Sequence, residues 1–124
     1  MTKLKIAISL VDVAMFAGVV TAHAADYNES IRAYHRGDYT TALPIFRQLA
    51  DQGNARAQGN LGVMCRKGQG VPQDYVQEHI WFNLAAAQGE EEAGKWRNIL
   101  AKQMTPAQIA EAQKLAREWK PKNK

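Results

Sequence analysis

The chain repeats itself at an offset of 36 residues, and this constrains its fold more than any other feature. Asp38-Tyr39 returns as Asp74-Tyr75, Phe46 as Phe82, Ala50 as Ala86, Gln52-Gly53 as Gln88-Gly89 and Ala57 as Ala93. Upstream of Asp38 the offset falls to 31, which aligns Tyr34-His35-Arg36-Gly37 with Cys65-Arg66-Lys67-Gly68. The second unit therefore carries five extra residues, Gln69 to Gln73. A unit this short cannot bury its own apolar face, so successive units must stack.

The extra residues include Gly70 and Pro72, which end one helix and cannot enter the next without cost. Each unit reads as helix, turn, helix: about 26–36 with 39–52, then 54–67 with 74–88, then 90–103 as half of a third unit. Small residues (Ala57, Gly62, Ala85, Ala86, Ala93) alternate with large ones (Leu61, Met64, Trp81, Phe82, Leu84), the pattern of closely packed amphipathic helices. Gly53 and Gly89 follow the last apolar position of a helix and suit a left-handed cap. No segment alternates with the two-residue period of a strand. Pro44 falls inside the second helix and is expected to kink it or delay its start to about Thr41.

The last helix announces its start. Thr105 is placed as N-cap, Pro106 as first helical residue and Gln108 as the partner in a capping box, with Met104 and Ile109 set for a hydrophobic staple. It runs to about Trp119, before Pro121, and buries Ile109, Ala112, Leu115, Ala116 and Trp119 on one face. Repeat arrays need such an element to cover their open end.

Taken together, Asn54-Ala55-Arg56-Ala57-Gln58, Leu61-Gly62, the run Gly68 to Tyr75, Trp81, Ala85-Ala86 and Gly89 resemble a Sel-one-like repeat, a relative of the tetratricopeptide repeat. The resemblance covers one full unit, with a shorter tetratricopeptide-like unit before it and half a unit after it. It implies an all-α fold, an α/α solenoid of about two and a half helical hairpins with a C-terminal capping helix. It also implies a scaffold or adaptor that holds other proteins, since the motif carries packing residues and no catalytic ones. Two positions depart from the pattern: Cys65 stands where the family and Tyr34 of the first unit have tyrosine, and Glu78 where they have alanine, as at Ala42. A carboxylate at a helix contact is costly to bury unpaired, so Glu78 needs an open face or a cation.

The first 24 residues read separately. Lys3 and Lys5 precede an apolar run from Ile6 to Val20, and Ala22-His23-Ala24 supplies the small residues of a cleavage site, the order of a secretory signal peptide. The apolar run is shorter than the roughly 18 residues of a spanning helix, although Asp12 interrupts it. The expected organisation is a signal peptide over 1–24 and a repeat domain over 25–124, with units at about 26–53, 54–89 and 90–103 and a cap at 105–119. The product is expected in the periplasm or secreted, with no stable membrane span after signal removal.

Cleavage removes Lys3, Lys5 and Asp12 and leaves 14 basic against 11 acidic residues, a net charge of +3. That mild, interspersed excess argues against nucleic acid as a partner. Lys120, Lys122 and Lys124 read as a solvated tail. Cys65 is the only cysteine, which rules out an internal disulfide and any cysteine-based zinc cluster.

Catalytic patterns are missing from the residues after position 24. Ser30, the one serine there, belongs to neither an S-x-x-K nor a G-x-S-x-G motif. His35 and His79 lie on different units without ligand partners at metal spacing, and are expected at half-exposed helix positions. Gly68-Gln69-Gly70 follows a helix instead of a strand and is a turn, not a phosphate loop. No enzyme activity, cofactor or metal is expected. A small cell-envelope hydrolase or penicillin-binding-like protein is the alternative from another class, and a self-stacking structural subunit is a third.

What remains is a surface for a protein or peptide partner. With Ala57, Leu61, Met64 and Cys65 turned inward, the first helices of successive hairpins present Arg32, Arg36, Arg56, Asn60, Val63, Lys67 and Trp96 on a concave face. Several guanidinium and ammonium groups beside one indole suit an acidic or C-terminal peptide segment. The plain alternative is a solvated helix face.

Overall fold

The computed structural model describes residues 26–122; the expected signal peptide lies outside them. Among the described residues every regular element is a helix: α1 over 26–35, α2 Tyr39–Asp51, α3 Ala55–Lys67, α4 Tyr75–Ala87, α5 Glu91–Ala101 and α6 Pro106–Glu118. Each falls within two residues of the range read from the sequence. None is long and apolar enough to cross a membrane.

The repeat reappears as repeated capping chemistry. Asp38 and Asp74, one period apart, both act as N-caps: the Asp38 carboxylate accepts from Thr41 N at 3.2 Å, and that of Asp74 from Val76 N at 3.0 Å and Gln77 N at 3.2 Å. Each satisfies amides that the first turn of a helix leaves without partners. Gly53 and Gly89 follow α2 and α4 at φ of +99° and +103°, a conformation in which a Cβ would be strained. At Thr105 both halves of the capping box form, Thr105 N to Gln108 Oε1 at 2.9 Å and Gln108 N to Thr105 Oγ1 at 3.1 Å.

α4 is the central element, packing on α3, α5 and α6, while α3 also packs on α2. Three apolar clusters follow from this. Ala33, Ala42, Phe46, Leu49, Ala50, Ala57, Leu61 and Met64 join α1, α2 and α3. Phe82, Ala85 and Ala93 join α4 to α5, and Ile80, Leu100, Met104 and Ala112 bring in α6, with Ile109 packed against them as the staple requires. Leu115 departs from its expected inward face and is 38% exposed.

The inserted loop is a latch. Gln69 accepts from the Tyr34 hydroxyl at 2.9 Å and donates to the Tyr39 hydroxyl at 2.9 Å, and Val71 packs on the first cluster. The extra residues thus tie the second unit back to the first.

Two expectations are corrected. Pro44 does not delay α2, which begins at Tyr39 and continues through it. The amide that proline lacks would have bonded to the Thr40 carbonyl, and both residues are exposed, so that carbonyl is left on the solvent side of the helix. The tail is not simply solvated: Lys122 N donates to the Asp51 carbonyl at 2.6 Å, and its ammonium lies 3.7 Å from the Asp51 carboxylate. The chain after α6 therefore returns to the end of α2.

Candidate functional site

The face that α3 turns toward α1 and α5 forms a recess of about 260 Å³. Arg56, Asn60 and Val63 stand four and three residues apart on α3 and so share one stripe of it. Tyr27 closes one side from α1, Phe82 forms the floor from α4, and Ala93 and Trp96, three residues apart on α5, close the other. Asn60 Nδ2 donates to the Tyr27 hydroxyl at 3.1 Å, fixing both polar groups at the rim. Val63 and Trp96 pack against the Phe82 cluster, so the interior of the recess is apolar.

Four of the seven residues expected on the concave face, Arg56, Asn60, Val63 and Trp96, line this recess. Arg32, Arg36 and Lys67 do not, and all three are exposed. Arg32 is on α1, whose buried residues are Ser30 and Ala33, and Arg36 is in the turn after it, 3.8 Å from Asp38. Lys67 is eleven residues past Arg56 on α3, about 16 Å along the axis. The expected charge is also corrected: Glu90 and Glu92 line the wall opposite Arg56, so the recess has no basic excess.

Next to it, on the far side of Trp96, sits a feature that the sequence reading missed. The Arg66 guanidinium lies 3.9 Å from the centre of the Trp96 ring, a cation–π contact joining α3 to α5. Arg66 and Trp96 border a smaller recess of about 190 Å³ with Tyr75, Glu78, Ile99 and Gln103. A cation next to an aromatic has no fixed sequence spacing, so only the packing of α3 on α4 and α5 reveals the pair.

Glu78 is buried to 1% exposure, and its Oε2 has no hydrogen-bond partner. Burial pushes its carboxyl up to about 7, with Arg66 pulling partly the other way. The cation it needs is nearby, but the Arg66 guanidinium rests on Trp96, and Glu78 takes part in none of the ion pairs among the described residues. Both departures from the repeat pattern, Cys65 and Glu78, are buried. Burial, then the field of Glu78, raises the Cys65 thiol to about 11. The second unit thus has a smaller residue than Tyr34 at position 65 and a larger one than Ala42 at position 78.

Ser30 is fully buried and donates to the Tyr27 carbonyl at 2.6 Å. Cys65 is buried and holds its proton. His35 is exposed, with its ring edge-on to Tyr34. His79, expected half-exposed, is only 3% exposed and leaves Nδ1 without a partner; it stands where α4 meets α5 and α6, and that docking is not visible in α4 alone.

No family model matches the chain. A stretch of 38 residues, 31% of the chain, is 45% identical to the DAP3-binding cell death enhancer 1 of Rattus norvegicus and, to the same extent, of Mus musculus. The matched stretch spans 8% of each of those proteins. What the comparison and the structure define together is an all-helical protein that shares a short segment with a much longer one.

Proposed function

We propose that the chain is a protein-interaction module of Sel-one-like hairpins, a short α/α solenoid, which works outside the cytoplasm and seats a segment of a partner protein in the recess between α1, α3 and α5. The observation that carries this reading is the recess itself: an apolar interior of Val63, Phe82, Ala93 and Trp96, rimmed by Arg56, Asn60 and Glu92. Tryptophan in a partly enclosed site with arginine at its edge is the composition of interface hot spots. With carboxylates facing Arg56, the occupant that fits is an amphipathic segment that inserts an apolar side chain and carries charge of both signs. The buried, hydrogen-bonded Ser30 and the high thiol of Cys65 support a role without a catalytic step.

The test is affinity capture of a partner by the protein from the extract of its own compartment, repeated with Trp96→Ala and Lys67→Glu. A partner lost with Trp96→Ala and retained with Lys67→Glu supports the recess. Retention by both moves the interaction to another face.

A further inference from the structure

A third recess, of about 410 Å³, opens between α4, α5 and α6. It begins one residue on from Glu78, roughly 100° round α4. Its polar lining is His79 and Asn83 from α4, Arg97 and Asn98 from α5, and Gln113 and Arg117 from α6. None of its lining residues is acidic.

The charges in it are positioned and uncompensated. Arg97 Nη1 donates to Asn83 Oδ1 at 2.7 Å and Nε to Asn98 Oδ1 at 3.2 Å, so neutral amide oxygens hold the guanidinium without cancelling its charge. Neither Arg97 nor Arg117 forms an ion pair among the described residues. His79, almost wholly buried, lines the same recess, and its ring forms no hydrogen bond through Nδ1. Two guanidinium groups lining one recess with no carboxylate among its walls favour a bound anion.

We propose that this recess is an oxyanion site that takes the phosphate group of a small phosphate ester. Two guanidinium forks match phosphate oxygens, and imidazole and amide N–H groups from a third direction suit a tetrahedral anion better than a planar one. The recess is larger than a bare phosphate, and Ala101 and Ile109 give the organic part of the ester an apolar wall. Burial, and then Arg97, holds the His79 pKa below its ordinary value. A bound anion reverses the second influence and draws a proton onto the ring.

The experiment follows the His79 imidazole by NMR while inorganic phosphate or phenyl phosphate is added to the protein at constant ionic strength. The expected result is a saturable shift at His79 with a rise in its pKa, none at His35, and saturation at lower concentration for phenyl phosphate. Arg117→Gln changes an exposed residue and should weaken binding about tenfold without disturbing the fold, the loss of one charge-assisted contact. A response linear in concentration, an equal response to acetate, or one unchanged by Arg117→Gln overturns the site. Phenyl phosphate that saturates no earlier than inorganic phosphate overturns the assignment to an ester.

Discussion

Gly62 of α3 lies against the ring of Phe82 of α4 so closely that a Cβ at Gly62 would stand 2.7 Å from both Cδ1 and Cε1. Phe82 is 1% exposed and its ring is rigid, so it has nowhere to move. This contact sets how near the two helices approach, and therefore the floor of the candidate recess. Gly62→Ala should destabilise by about 1–3 kcal/mol, the usual cost of overpacking a core. Gly59, three residues earlier, would place its Cβ 4.0 Å from Ala85 Cβ. Gly59→Ala should be neutral or stabilise by up to about 1 kcal/mol through helix propensity. Thermal unfolding of the two variants checks the contrast.

Core and rim should separate in the same way. Leu61 is fully buried, and Leu61→Ala should cost about 2–5 kcal/mol. Arg56→Glu and Lys67→Glu change exposed positions and should stay within about 0.5 kcal/mol. Of the two charge reversals only Arg56→Glu should weaken partner capture, because only Arg56 lines the recess.

Glu78 gives stability a pH slope of known sign. Its folded pKa, about 7, lies above its ordinary value of 4.5, so the folded state holds the proton more tightly. The resulting stabilisation is complete below pH 4.5 and is lost as pH rises toward 7. Glu78→Gln keeps the shape without the charge and should be more stable than the parent at pH 8, with the slope between pH 4.5 and 7 flattened. Urea unfolding across that range measures both effects.

His79 works in the opposite direction. Its folded pKa is depressed by burial and then by Arg97, so its contribution is present above about pH 6.5 and is lost as pH falls. In phosphate-free buffer, a His79→Gln variant should lose less stability than the parent between pH 7 and pH 5. An identical pH profile in the two proteins would refute this assignment.

Cys65 should be inert in the folded protein. With its thiol raised to about 11 and its side chain buried, reaction with a thiol reagent at pH 8 should be far slower in the native state than in urea. Rapid native labelling would mean that α3 opens locally.

The sequence by itself determined the helices, their caps and the repeat. Asp38 and Asp74 each accept from amides within three residues, Thr105 and Gln108 close on one another, and Gly53 and Gly89 adopt a conformation open to glycine wherever it stands. Such local interactions are written in the spacing. The inward positions Ala57, Leu61 and Met64 were legible for the same reason, since the helical period alone assigns them to one face. Tertiary packing alone decided which candidates met. Arg56, Asn60, Val63 and Trp96 converge while Arg32, Arg36 and Lys67 stay apart, because convergence depends on how α1, α3 and α5 cross and not on the face of any one helix. The Arg66 and Trp96 contact, the recess shared by His79 and Arg117 and the return of Lys122 to Asp51 join residues at least 30 positions apart in sequence, which no local pattern encodes.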